Sequence, residues 1–211
     1  MNIQSLLLIA PPILLALTFH EYAHAYVAHR YGDDTAQKSG RLTLNPLRHL
    51  DPLGTIMIFL VQFGWAKPVP VNPYNLRNPK KDMLWISAAG PLSNMLLALI
   101  SGLIFRLFSD SAVIADKDSL TGLLVIMVFL SLKINLALAI FNIIPIAPLD
   151  GSKILYGLLP PGFGKMILAI ERYGPFILIG LIIFGRATGV SILGGLIWPF
   201  VGFFSKLFAG V

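Results

Sequence analysis

The sequence predicts an all-α polytopic membrane protein with four to five transmembrane helices. Three observations carry this. Of 211 residues, 56% are hydrophobic and only 12% are charged, about half the charged share of a soluble domain. Several apolar runs approach the ~20 residues needed to cross a bilayer. The basic residues that give a net charge of +6 lie between those runs rather than on one surface. They read as topology signals and headgroup contacts, not as a nucleic-acid footprint.

The first span covers residues 3–28, interrupted and kinked at Pro11 and Pro12. The start, "MNIQ", lacks the basic region of a secretory signal. The segment also carries the chain's chemistry, so it is expected to stay as a signal anchor. Residues 29–82 are more polar. In them "GRLTLNP" (Gly40 to Pro46) alternates as a strand would, and "KPVPVNP" (Lys67 to Pro73) is extended because residues before proline avoid the helical region. Between them "DPLGTIMIFLVQFGW" (Asp51 to Trp65) is apolar but too short to span, and is expected to be re-entrant or interfacial.

The second span is expected at residues 83–107 and the third at 119–142, after which Pro145 and Pro148 break the helix. A short helix and turn follow over 153–165. A fourth span fits 167–185. A fifth fits 190–209, weakened by glycine pairs and by Trp198 to Phe200. No repeat or appended soluble domain is visible, so residues 1–211 are expected to form one integral-membrane domain.

Lys and Arg concentrate after span one (Arg30, Lys38, Arg41, Arg48, Lys67, Arg77, Lys80, Lys81) and again after span three (Lys153, Lys165), against Arg106 and Lys117 after span two. The positive-inside rule then puts the N-terminus outside and the ends of spans one and three at the cytoplasmic leaflet.

The chemistry is in "HEYAH" (His20 to His24). Positions four apart share a helix face, so His20 and His24 can present ring nitrogens to one ion, while Glu21 sits at the same depth within reach of a water held there. Ionisable groups inside a span need a reason. A catalytic zinc normally takes three protein ligands. The chain has no cysteine, so nitrogen and oxygen must supply them. His29 is off the shared face by about 140°. Spacing leaves His49 open. Asp150 is the more attractive third ligand, because span three ends at the same leaflet as His24. With His24 about five residues from the end of span one, the site lies roughly 7–13 Å inside the boundary.

Asn142 closes span three as a C-cap or as a donor to a substrate carbonyl. Asn135 and Ser131 continue its polar stripe, a pattern that more often joins helices than catalyses. Asn94, one turn after a Gly90-Pro91 kink, reads as helix glue or as a substrate-binding donor. Lys133 has no evident partner.

"HEYAH", "GPLSN" (Gly90 to Asn94) and "NIIPIAPLDG" (Asn142 to Gly151), in this order and spacing, resemble the site-2 proteases. "GRLTLNPLRHLDPLGT" and "GWAKPVPVNP" are similar to the compact prokaryotic branch of that intramembrane zinc metalloprotease family. The resemblance implies a three-helix catalytic core. It also implies one Zn2+ on His20, His24 and Asp150, with Glu21 as base and Asn142 near the substrate carbonyl. The implied substrates are membrane-spanning proteins cut in or beside the bilayer. Ala147 before Pro148 departs from the common Asn-Pro-x-x-Asp-Gly form, and the length leaves no room for a PDZ domain. The alternatives are a divalent-metal transporter, against which the lack of repeated halves counts, and an inactive membrane scaffold, against which the intact Glu21 counts. Edge pairing of a substrate along 40–46 and 67–73 is a further expectation.

Overall fold

In a computed structural model, residues 3–61, 64–109, 119–160 and 162–211 are described. Lys117, counted above for orientation, lies outside them. Five helices are long and apolar enough to cross a membrane, and no strand occurs among the described residues. The all-α polytopic membrane fold expected from composition is what the chain adopts.

Helix α1 (Ile3–Arg30) runs through both Pro11 and Pro12. A short α2 (Thr35–Lys38) and α3 (Pro52–Val61) follow. At 1.5 Å per residue, the ten residues of α3 reach about 15 Å, half a bilayer core. Helix α4 (Pro79–Phe108) starts at a paired cap: the Asn78 side chain accepts from Lys81 N, and Asp82 accepts from Asn78 N at 2.8 Å. Helix α5 (Leu120–Ile143) is capped by Ser119, which accepts from Gly122 N. The prolines after Ile143 hold off the next helix until α6 (Asp150–Leu158), three residues earlier than expected. Helices α7 (Gly164–Thr188) and α8 (Ile192–Ala209) end at Gly189 and Gly210. Both glycines have positive φ, 74° and 81°, which a side chain would oppose.

Lipid is as apolar as leucine, so the helices associate through close packing and interior polar contacts rather than hydrophobic burial. Ala98 and Phe105 of α4, Leu132 and Leu136 of α5, and Val201 of α8 form one core. Ser101 and Ser131 bridge α4 to α5 at 2.9 Å, worth about 0.6 kcal/mol for a typical interhelical bond in lipid. Lys133 places its ammonium 5.3 Å from the Phe129 ring centroid, one turn back on its own helix.

The expected strand at 40–46 is not one. Gly40 turns at φ +66°, and residues 42–44 bend. Among the described residues, the only ladder contact is an isolated antiparallel bridge between Leu50 and Ala66. Residues 67–72 have no regular structure; Lys67 N donates to His49 O at 2.8 Å, and several of the other backbone groups go to side chains. Arg41 donates to the carbonyls of Lys67 and Pro68, and Asn72 N donates to Asp33 at 2.7 Å. Asp33 also accepts from Asn75 and from Thr35. Its burial alone would raise its pKa, but these bonds outweigh that and hold the carboxyl below its ordinary value.

Candidate metal centre

Helical spacing puts His20 and His24 one turn apart, their Nε2 atoms 3.0 Å from each other. Asp150, the first residue of α6, brings Oδ2 to 3.1 Å from His20 Nε2 and 3.2 Å from His24 Nε2. The C-terminal part of α1 and the end of α5 therefore meet, as the charge pattern requires. Two glycines permit this. A Cβ on Gly151 would stand 2.1 Å from the Ile143 carbonyl oxygen, so α6 can start against the end of α5 only without one. A Cβ on Gly90 would stand 2.4 Å from His24 Nε2 and 2.6 Å from His20 Nε2. In the sequence Gly90 stands out only as part of a kink and of "GPLSN". The spacing of a glycine one helical turn before an asparagine is all that the sequence offers of this contact.

The far ring nitrogens fix the protonation. His20 Nδ1 lies 2.7 Å from Asn94 Oδ1, and His24 Nδ1 lies 2.6 Å from the Ile86 carbonyl. Both partners accept, so both Nδ1 atoms carry the hydrogen and both Nε2 atoms present lone pairs. Asp150 Oδ2 is buried and has no hydrogen-bond donor. Three electron pairs within 3.2 Å of one another repel unless a cation lies among them. Two imidazoles, one carboxylate and the hydrogen bonds behind them suit zinc.

Among the described residues, this is the one group of three or more ionisable side chains able to hold a metal. His49, left open by spacing, is buried in the loop, with Nε2 donating to Thr43 O at 2.8 Å. His29 instead pairs with Asp34 at 2.7 Å. Glu21 points at the polar loop, where Oε2 accepts from Val69 N at 3.1 Å. Arg41, clamped on Lys67 and Pro68, holds that stretch in place, a part that its place in the sequence does not announce. Asn94 is fully buried behind His20 rather than on the cavity wall. Asn142 does reach the cavity, and its Nδ2 donates one bond to Leu138 O at 3.0 Å.

The cluster opens on a cavity of about 770 Å³. Its walls are mostly apolar, with Trp65, Val69, Phe141 and Ile179 among them, and Glu21, Asn142, His20, His24 and Asp150 also line it.

Fold and site together define a polytopic membrane protein whose His-Glu-x-x-His helix and Asp150 form a group able to hold a metal. No protein-family model matches the chain, and no solved structure does. Curated relatives do. YwhC of Bacillus subtilis is 41% identical over 189 residues, covering 89% of this chain and 82% of its own length. Rip2 of Mycolicibacterium smegmatis is 29% identical over 178 residues, with 81% and 64% covered. MJ0611 of Methanocaldococcus jannaschii is 31% identical over 137 residues, with 65% and 63% covered. Each bears the name "Putative zinc metalloprotease". This chain belongs to the zinc metalloprotease family that YwhC represents, and zinc is the cofactor that membership implies.

Proposed function

We propose that the chain is an intramembrane metalloprotease of the site-2 type, hydrolysing peptide bonds within or next to the transmembrane segments of membrane-anchored proteins. His20, His24 and Asp150 hold the zinc, and residues 1–211 act as one integral-membrane unit. The observation that carries this reading is the convergence of His20 Nε2, His24 Nε2 and Asp150 Oδ2 on the wall of a mostly apolar cavity.

Bound zinc supplies a Lewis acid that polarises a carbonyl and lowers the pKa of water to about 7. Glu21 takes the proton of the attacking water and returns it to the leaving amine. Its carboxylate is aimed by the Val69 N–H. Asn142 spends one amide hydrogen on Leu138 O and offers the other to the substrate carbonyl as charge develops there. The charge pattern supports a site near the cytoplasmic leaflet with the N-terminus outside.

The test is metal analysis and cleavage of a membrane-span peptide by the purified chain and by Glu21→Gln. Zinc is expected to stay at one per chain while hydrolysis falls about 10²- to 10⁴-fold. Full hydrolysis by Glu21→Gln, or zinc flux across vesicles without hydrolysis by the parent chain, would overturn the reading.

A further inference from the structure

We propose that Asn135, on a different helix from the histidines, is a positioning residue that fixes, through Asn94, which ring nitrogen of His20 carries the hydrogen. The proposal rests on His20 being a ligand, as above.

Asn94 and Asn135 are both fully buried. Asn94 Nδ2 donates to Ala16 O at 3.1 Å and to Asn135 Oδ1 at 2.8 Å. Asn135 Nδ2 donates to Ser131 O at 2.9 Å and reaches Ser131 Oγ at 3.2 Å. The two ends of this chain are main-chain carbonyls, which only accept. The Ser131 carbonyl therefore dictates that Asn135 turns its amide nitrogen inward and its oxygen toward Asn94. That oxygen and the Ala16 carbonyl dictate that Asn94 offers them its nitrogen. Asn94 Oδ1 is then left facing His20 Nδ1 at 2.7 Å, and it can only be satisfied by an Nδ1–H.

The reverse arrangement shows what the relay prevents. With Asn94 flipped, its oxygen would face two acceptors at 2.8 and 3.1 Å. His20 would accept at Nδ1 and carry its hydrogen on Nε2, which faces Asp150 and His24. A protonated Nε2 cannot bind a cation. Asn135 supplies one of the two acceptors that forbid this flip. His24 has no relay, because the Ile86 carbonyl fixes its ring directly. The effect of Asn135 is therefore confined to one histidine.

The experiment uses the full-length chain in detergent, labelled with ¹⁵N-histidine, zinc-free and in zinc titrations against a competing chelator. In the zinc-free wild type, the His20 ring is expected to show a hydrogen on Nδ1. Asn135→Leu is expected to weaken zinc about tenfold and to mix the two His20 tautomers while His24 is unmoved. Asn135→Asp, protonated in so apolar a setting, offers the same acceptor and donor, and is expected to restore zinc affinity to within about twofold.

Wild-type affinity and an unmixed His20 ring in Asn135→Leu would overturn the relay. So would an Asn135→Asp as weak as Asn135→Leu, because an oxygen held toward Asn94 would then not be what sustains zinc affinity. A wild-type His20 with its hydrogen on Nε2 overturns it even if neither variant folds. If the wild type binds no zinc, or binds it equally well after His20→Ala, the ligand assignment fails, whatever the relay does.

Discussion

Helices α1, α4 and α5 differ from α7 and α8 in what holds them. The first group carries buried polar side chains on all three members: His20, Asn94, Ser101, Ser131 and Asn135. Over their most apolar stretches α4 and α5 are 39% and 33% buried, against 17% for each of α7 and α8. In the latter pair Phe176 and Phe203 are exposed, and the wall that α7 gives the cavity is apolar along Pro175, Leu178, Ile179 and Ile183, with the charged Arg186 beyond them. The difference separates two tasks. Groups that must be placed within tenths of an ångström sit on helices fastened by directional bonds. The cavity is bordered by a helix, α7, whose lining side chains are largely apolar.

Three glycine-to-alanine changes probe that division with the same added methyl. Gly90→Ala, inside the fastened trio, is expected to have the largest effect. The new carbon would collide with both imidazoles, so zinc affinity and hydrolysis should fall together by about a hundredfold, read by chelator competition and peptide cleavage. Gly174→Ala lies where α7 meets the turn before Asp150, with the new carbon 2.7 Å from the Ala147 backbone. Overpacking there should cost about 1–3 kcal/mol in thermal unfolding and slow cleavage with zinc still at one per chain. Loss of zinc from this variant would show that α7 also positions the metal, and the division drawn here would fail. Gly180→Ala is exposed, with nothing within 4 Å of the new carbon. Its stability should be unchanged or higher by about 0.4–1 kcal/mol, with zinc and cleavage as in the parent. A large loss there would mean that the outer face of α7 has a protein partner rather than lipid.

The spans were legible because a bilayer enforces long apolar runs, and His20, Glu21 and His24 because a helix enforces their spacing. Asp150 was legible through topology: charge placed the ends of two helices together. Side-chain direction was not. Nothing in "GPLSN" says that Asn94 turns toward His20 rather than the cavity, because that depends on Asn135 and the Ala16 carbonyl, 41 and 78 residues away in the chain. The strand expectation failed for a related reason. Alternation and proline spacing report an extended backbone but not what pairs with it, and here the partners are Arg41, Asp33 and Glu21. The helix after Pro148 starts at Asp150 because Gly151 lets it abut Ile143, a steric fact invisible before the ends of the two helices are placed.

The donor that aims Glu21 is a peptide N–H, that of Val69. Every amino acid except proline brings the same group to that position. A drifting lineage can thus rewrite residue 69, and with it the shape and greasiness of the cavity wall, while the carboxylate keeps its bearing. If the cavity receives the substrate as proposed, new preferences become reachable one codon at a time, with Glu21 still aimed.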